Sequence, residues 1–143
     1  GDAVVDSVEM AEAADIAGGS PRADYRAIPR VVFSDPEVAA VGMTEAQASD
    51  AGVDLATCEL ELASIARTET YGEGLDGALR LLADRDRGVL VGASAVGPLA
   101  SEWIHVPVLA IRAETPIEVL RDTVPQFPTF SEGWQRALER LEV

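Results

Sequence analysis

Near the C-terminus, Phe127-Pro128-Thr129-Phe130-Ser131-Glu132 brings a carboxylate, two hydroxyls and two aromatic rings into six residues. Glu132 is the only ionisable group among them, and neither ring can take or give a proton. Thr129 and Glu132 have capping-box spacing, in which a hydroxyl and a carboxylate satisfy backbone donors at a helix start. Chemistry elsewhere is sparse. Cys58 and His105 each occur once, too few soft ligands for a zinc site and no basis for an internal disulfide. Cys58 sits in the alternating run "LATCELELA" and reads as a packed strand residue rather than a reactive thiol. His105 lies in an apolar helical stretch, with Glu102 as the one acid at helical spacing. It reads as a partly buried structural or interface histidine rather than a general base. The glycines of "YGEGLDG" lack the strand-turn-helix setting of a nucleotide loop, and no nucleophile elbow is present.

The elements that must carry these residues follow from periodicity and punctuation. Residues 1–27 are rich in Ala and acids, with a short helix over 7–17 and a break at "AGGSP". The core begins near residue 28, with strands over 30–33 and 37–42 around the turn Ser34-Asp35-Pro36. A helix over 45–51 is framed by Thr44, Gln47 and Gly52. "DLATCELELAS" alternates as a strand, "IARTETYGEGLDG" reads as a loop, and "ALRLLADRDRGVLVGASAVG" is a hairpin turning at Asp84–Gly88.

Residues 98–113 form a helix that is apolar nearly all round, so it must be buried on more than one side, in a core or under a partner. Pro107 should bend it. A helix over 116–121 opens with Thr115 as cap, Pro116 at the first position and Glu118 closing a capping box. The last helix, 130–141, aligns Phe130, Trp134, Leu138 and Leu141 on one face. Grouped strands followed by grouped helices predict an α+β fold, an antiparallel sheet with helices packed on one side.

The length of 143 residues suits one core domain, able to bury about two-thirds of the unfolded chain's surface. A net charge of −14, with no basic cluster, argues against nucleic acid or an anionic membrane as partner. No apolar run reaches the ~18 residues of a membrane span, and the acidic start is unlike a signal peptide. A cytoplasmic protein is expected.

Four segments in order, "VVFSDPEVAAVGMTEAQA", "GVLVGASAVGPLASEWI", "LAIRAETPIEVLRDT" and "FPTFSEGW", resemble the C-terminal dimerisation domain of the FAD-dependent pyridine nucleotide-disulfide oxidoreductases. That family includes glutathione reductase, dihydrolipoamide dehydrogenase and mercuric reductase. The resemblance covers about residues 29–141 and implies a homodimer joined through residues 28–143. It also implies a fragment, since the parent's FAD and NAD(P)H domains would lie upstream, and neither cofactor is expected on this piece alone. Gly1-Asp2-Ala3 resembles the family's last FAD-contacting stretch, although the segment after it is short and unlike the usual one.

In the disulfide reductases of this family the closing motif carries His before Pro-Thr and a Glu that orients it, and the His serves the partner's active-site thiols as acid and base. Pro128, Thr129 and Glu132 match that pattern, but the His position holds Phe127. The resemblance therefore implies that Phe127, Pro128 and Thr129 lie beside the partner's flavin, with no confident catalytic residue in this chain. The acceptor it implies is one needing no proton relay there, such as a quinone. Mercuric reductases also depart from the His pattern, but they end in a cysteine pair that "ERLEV" lacks. Glu132, without its His, reads as a helix-start residue. The alternative function is a stand-alone dimeric interaction module without flavin chemistry.

Overall fold

Small and aliphatic residues on one side of five strands produce one sheet with a buried face, and the central strands are buried at nearly every position. The computed structural model describes residues 24–72 and 74–143, so the expected helix over 7–17 and the Gly1-Asp2 match lie outside the described residues. The strands are β1 (Arg30–Val32), β2 (Glu37–Gly42), β3 (Leu55–Glu61), β4 (Ala78–Asp84) and β5 (Val89–Gly97), in the order β1-β2-β5-β4-β3, all antiparallel. The register lines up Ala39, Ala95, Leu79 and Leu60 in one cross-strand row and Val41, Ala93, Leu81 and Cys58 in the next. Both rows face the core. The row between them, Ala40, Ser94, Arg80 and Glu59, lies on the other face, because side chains alternate along each strand.

Five helices complete the fold: α1 (Glu45–Asp50), α2 (Ala100–Trp103), α3 (His105–Arg112), α4 (Ile117–Asp122) and α5 (Ser131–Arg140). On the core face α2 meets β2, α3 runs along β5, α5 covers β3 and β4, and α4 braces α5. The α+β fold with antiparallel sheet is thus as expected. Short α1 sits at the edge of the open face, where Glu45 pairs with Arg80 at 2.7 Å. Both of its ends follow the sequence signals. Thr44 and Gln47 form the reciprocal capping box, and Gly52, at φ +71°, ends it with a Schellman pair in which Val53 N–H reaches Ala48 C=O at 3.0 Å.

Four local expectations are corrected. The helix expected over 98–113 is interrupted at Ile104, three residues before Pro107, although Ile104 keeps helical angles of φ −61° and ψ −18°. Proline has no N–H to donate, so the Trp103 carbonyl four residues earlier has no helical partner. The α3 helix is also not buried all round: Pro107, Ala110 and Ile111 face the core, while Val106 and Leu109 are 43% and 57% exposed. Thr115 does not cap α4. Pro116 is its N-cap, without a side-chain bond, and the start is held instead by Ile117 N–H donating to Gly88 C=O at 2.9 Å beside the Val89–Pro116 bridge. Finally, the loop after β3 is two 3-10 turns, Leu62–Ser64 and Ala66–Tyr71, pinned by buried Thr68, whose hydroxyl donates to Leu62 C=O at 2.5 Å.

Asp24 and the turn Tyr25–Ala27 pack on the end of α3, with Ala27 buried and Arg112 bonding Asp24 at 3.1 Å. A bulge in β5 opposite Leu82 and Ala83 leaves Val91 as the extra residue, and its carbonyl accepts from Met43 N–H at 2.8 Å. That same oxygen would stand 2.3 Å from a Cβ at position 42, and Gly42 has φ +73°, so only glycine fits. The α2 helix opens at Leu99 in the left-handed region, φ +56°, with no cap of its own; Glu37 on β2 supplies one, accepting from Ser101 N–H at 2.9 Å.

Two outcomes follow. Gly42→Ala combines a left-handed backbone with a backbone clash and should destabilise the domain by at least about 2 kcal/mol; an unchanged urea midpoint would contradict the bulge geometry. The Ser101 backbone and side-chain hydrogen bonds hold the Glu37 carboxyl below its ordinary range. A depressed carboxyl contributes stability above the unfolded value of about 4.3, and that contribution is lost as pH falls through the lower folded value. Wild type should therefore lose more stability than Glu37→Gln between about pH 5 and 3, measured by urea titration at each pH; parallel losses would exclude the cap.

Candidate functional site

The loop from Thr123 to Phe130 joins α4 to α5 and carries the closing motif. Its outer end is set by a brace between the two helices. Arg121 on α4 donates through Nε to Leu138 C=O at 2.9 Å, which also accepts from Leu141 N–H at 3.3 Å, and through Nη2 to Leu141 C=O at 2.5 Å, so it ties down the carbonyls at the end of α5. In return, Gln135 on α5 donates to Arg121 C=O. Between these ties the Thr129 hydroxyl donates to Gln126 C=O at 2.6 Å and closes the loop on itself.

The inner end is held by aromatic packing. Phe130 is 5% exposed and lies between Tyr71 and Trp103, with ring centroids 5.5 Å and 5.7 Å away; Trp103 in turn stands 5.3 Å from Trp134. The Trp134 indole N–H donates at 2.8 Å to the Trp103 carbonyl that Pro107 leaves free. Trp103 donates its own indole N–H to Pro98 C=O at 2.9 Å. Phe130, Trp134, Leu138 and Leu141 all point inward, as the spacing predicts.

With Phe130 turned in, Phe127 is turned out and 72% exposed, and the peptide before Pro128 is cis. Pro128 is exposed and Thr129 half-buried. Val124 is 90% exposed on the same loop, and a shallow groove runs from Val106 of α3 to Val124 and Gln126 over a floor of Trp134 and Leu138. The surface is therefore apolar on both sides of the groove.

Thr129 and Glu132 do not form the expected capping box: the N-cap position is Phe130, without a side-chain bond, and the Thr129 hydroxyl is committed to Gln126. Glu132 is instead buried, 7% exposed, and its Oε1 pairs with Arg136 one turn later. Arg136 also donates to Ser64 C=O at 2.6 Å, which ties α5 to the 3-10 turn after β3. The second carboxylate oxygen, Oε2, is buried with no hydrogen-bond partner among the described residues. A buried acceptor without a donor is costly, and it sits five residues from the position where the family pattern places a histidine.

The other sequence candidates stay apart from this loop. Cys58 packs against the core from β3, and burial pushes its thiol up in pKa against a smaller opposing pull from Arg140. This favours the unreactive protonated form. His105 proves exposed rather than partly buried, because the first turn of α3 turns its polar residues outward. Among the described residues no group of three His, Cys, Asp or Glu side chains could hold a metal, and no helix is long and apolar enough to cross a membrane. Two parts of the site lay beyond sequence reasoning, the exposure of Val124 and the orphaned Glu132 oxygen. The first depends on which way a loop turns, the second on how α5 packs.

Comparison with known proteins agrees with this architecture. The family model described as the pyridine nucleotide-disulphide oxidoreductase dimerisation domain matches residues 28–138. A dihydrolipoyl dehydrogenase of Geobacillus stearothermophilus is 40% identical over 134 residues, and one of Halobacterium salinarum is 38% identical over 134; each match takes in 93% of this chain and 28% of the relative. Among solved structures, LpdA of Mycobacterium tuberculosis superposes with a TM-score of 0.79 at 27% identity, covering 89% of this chain and 28% of that one. The HOCl-induced flavoprotein disulfide reductase RclA of Escherichia coli gives 0.77 at 27% identity, with 89% and 30% covered. The chain thus spans about 28% of the length of the curated relatives it matches. Sheet order, helix placement and closing motif together with these matches make the chain a member of the pyridine nucleotide-disulphide oxidoreductase family, corresponding to its dimerisation domain.

Proposed function

We propose that this domain serves a cytoplasmic, homodimeric, FAD-dependent NAD(P)H oxidoreductase whose acceptor is not a disulfide but a small oxidant such as a quinone. In that enzyme the domains upstream would carry the cofactors, and bound FAD would supply electron transfer from NAD(P)H to the acceptor. This chain's part is contact and exclusion. The outer face of α3, with Val106 and Leu109, and the loop with Val124 supply an apolar surface for a second copy. Phe127, Pro128 and Thr129 form the segment that would lie beside the partner subunit's flavin. A phenyl ring and a proline suit contact with a planar ring system, and they bring no charge or proton to it.

The observation that carries the reading is Phe127 itself. A positioned general base typically contributes about 10²–10⁴-fold to a proton-transfer step, and phenylalanine contributes none of it. Transfer of electrons to a quinone, whose protons can come from solvent, does not need that base. The exposed ring then excludes water and offers a flat apolar contact. The folded domain meanwhile retains Glu132 and its unpartnered oxygen, consistent with a site descended from the acid–base arrangement of the disulfide reductases and converted at one position.

Steady-state NAD(P)H oxidation by the full-length dimer, with a soluble quinone and with lipoamide as alternative acceptors, tests this. Quinone turnover should exceed disulfide turnover by at least about 10²-fold, in line with the missing base. Phe127→Ala should lower kcat/KM for the quinone by about tenfold, the equivalent of about 1.4 kcal/mol of lost contact. Rapid lipoamide reduction by the wild-type enzyme would overturn the acceptor assignment.

A further inference from the structure

At the opposite end of the sheet from the Phe127 loop, a cleft of about 350 Å³ opens between the turn Tyr25–Ala27, the end of β2, the start of β5 and the end of α3. Its volume falls within the range of small-molecule sites. Val89, Val91 and Ile111 form an apolar wall, and Arg26, Arg30 and Arg87 stand at the mouth with Glu114 as the one carboxylate. Three guanidiniums thus line the cleft beside a single carboxylate, on a chain of net charge −14. Asp24, outside the lining, holds Arg26 through both carboxylate oxygens and also meets Arg112, and Glu114 bonds Arg87, so Arg30 is the guanidinium left without a counter-charge. Arg30 has no carboxylate partner among the described residues; its one hydrogen bond goes to Gly42 C=O at 3.1 Å.

Glu114 adds an independent observation. It ends α3 in the left-handed region, φ +48°, with its N–H bonded to Ile111 C=O at 3.3 Å and Thr115 N–H to Ala110 C=O at 3.0 Å. That is the position of a Schellman ending which favours glycine, and a residue with a Cβ is disfavoured there. The side chain that this strained backbone presents accepts on one oxygen from both Arg26 and Arg87, the latter at 2.7 Å, and so gathers the two guanidiniums at one side of the cleft. Its carboxyl is held below the ordinary range, first by the Arg87 hydrogen bond and then by that from Arg26. Local strain kept where side chains converge on a cavity marks sites of function more often than loops at large.

We propose that this cleft binds a small organic dianion of the phosphomonoester class, with its phosphate on Arg30 and Arg87 and its body against Val91 and Ile111. A phosphomonoester carries a charge of about −1.5 to −2 near neutral pH, enough to hold the unpaired Arg30 and to compete with Glu114 for Arg87. Guanidinium forks present paired donors to its oxygens. The acidic surface repels anions at long range, but screening at about 8–10 Å in physiological salt leaves the local arginines in control inside the cleft.

Calorimetric titration of the 143-residue chain with phenyl phosphate, and with phenol as the uncharged control, tests the proposal. Saturable one-to-one binding of phenyl phosphate is expected, with none by phenol at equal concentration. Arg30→Gln and Arg87→Gln should each weaken binding at least about tenfold, the loss expected for one charged hydrogen-bonding partner, and Arg30→Lys should restore part of it. Thermal melts of each variant confirm folding; since both arginines are exposed, these substitutions leave the core intact. Absence of saturation, equal binding by phenol, or unchanged affinity in both glutamine variants would overturn the proposal.

Discussion

One hydrogen bond organises the half of this domain that carries the Phe127 loop. Pro107 cannot return a donor to the Trp103 carbonyl, and the Trp134 indole supplies one at 2.8 Å. A helix defect thereby becomes a joint between α2 and α3 on one side and α5 on the other. Because the joint is made by two tryptophans whose rings also touch, Phe130 can be clasped between Trp103 and Tyr71. Once Phe130 is fixed inside, the short tie from Thr129 to Gln126 and the Arg121 brace leave the loop only one way to turn, and Phe127 faces outward.

The same joint explains the unusual surface. Helix α3 is seated by Pro107, Ala110 and Ile111 with Val108 half-buried, so Val106 and Leu109 face out, and Val106 shares a groove with Val124 of the Phe127 loop. Exposed apolar side chains gathered in this way mark an interaction surface. Charge supports the division of the molecule into two ends. The apolar loop region offers an acidic protein a face that lacks like-charge repulsion, whereas the arginine cleft is the locally positive exception. Glu132 belongs to the first end and is neutralised by Arg136 within its own helix.

Much of this was legible in the residues. Period-two alternation located the strands, Thr44, Gln47 and Gly52 bounded α1, and the Phe130, Trp134, Leu138, Leu141 series identified the inward face of α5. The order of four segments pointed to the family. Capping-box spacing misled twice, at Thr115 with Glu118 and at Thr129 with Glu132, because tertiary partners outcompeted the local ones. The start of α4 is held by Gly88 across the chain, and Thr129 closes its own loop. Nor could local sequence reveal the Arg26, Arg30, Arg87 and Glu114 cluster, drawn from three separate parts of the chain that meet only once the sheet has formed.

The central proposal is that the apolar side chains of α3 and the Phe127 loop are covered by a second copy of the chain. Sedimentation equilibrium measures it most directly. The account predicts a species of twice the 15.1 kDa chain mass at micromolar concentration, and its conversion to monomer by Leu109→Asp, which leaves the core untouched. A chain that stays monomeric up to millimolar concentration, or a dimer indifferent to Leu109→Asp, would contradict it.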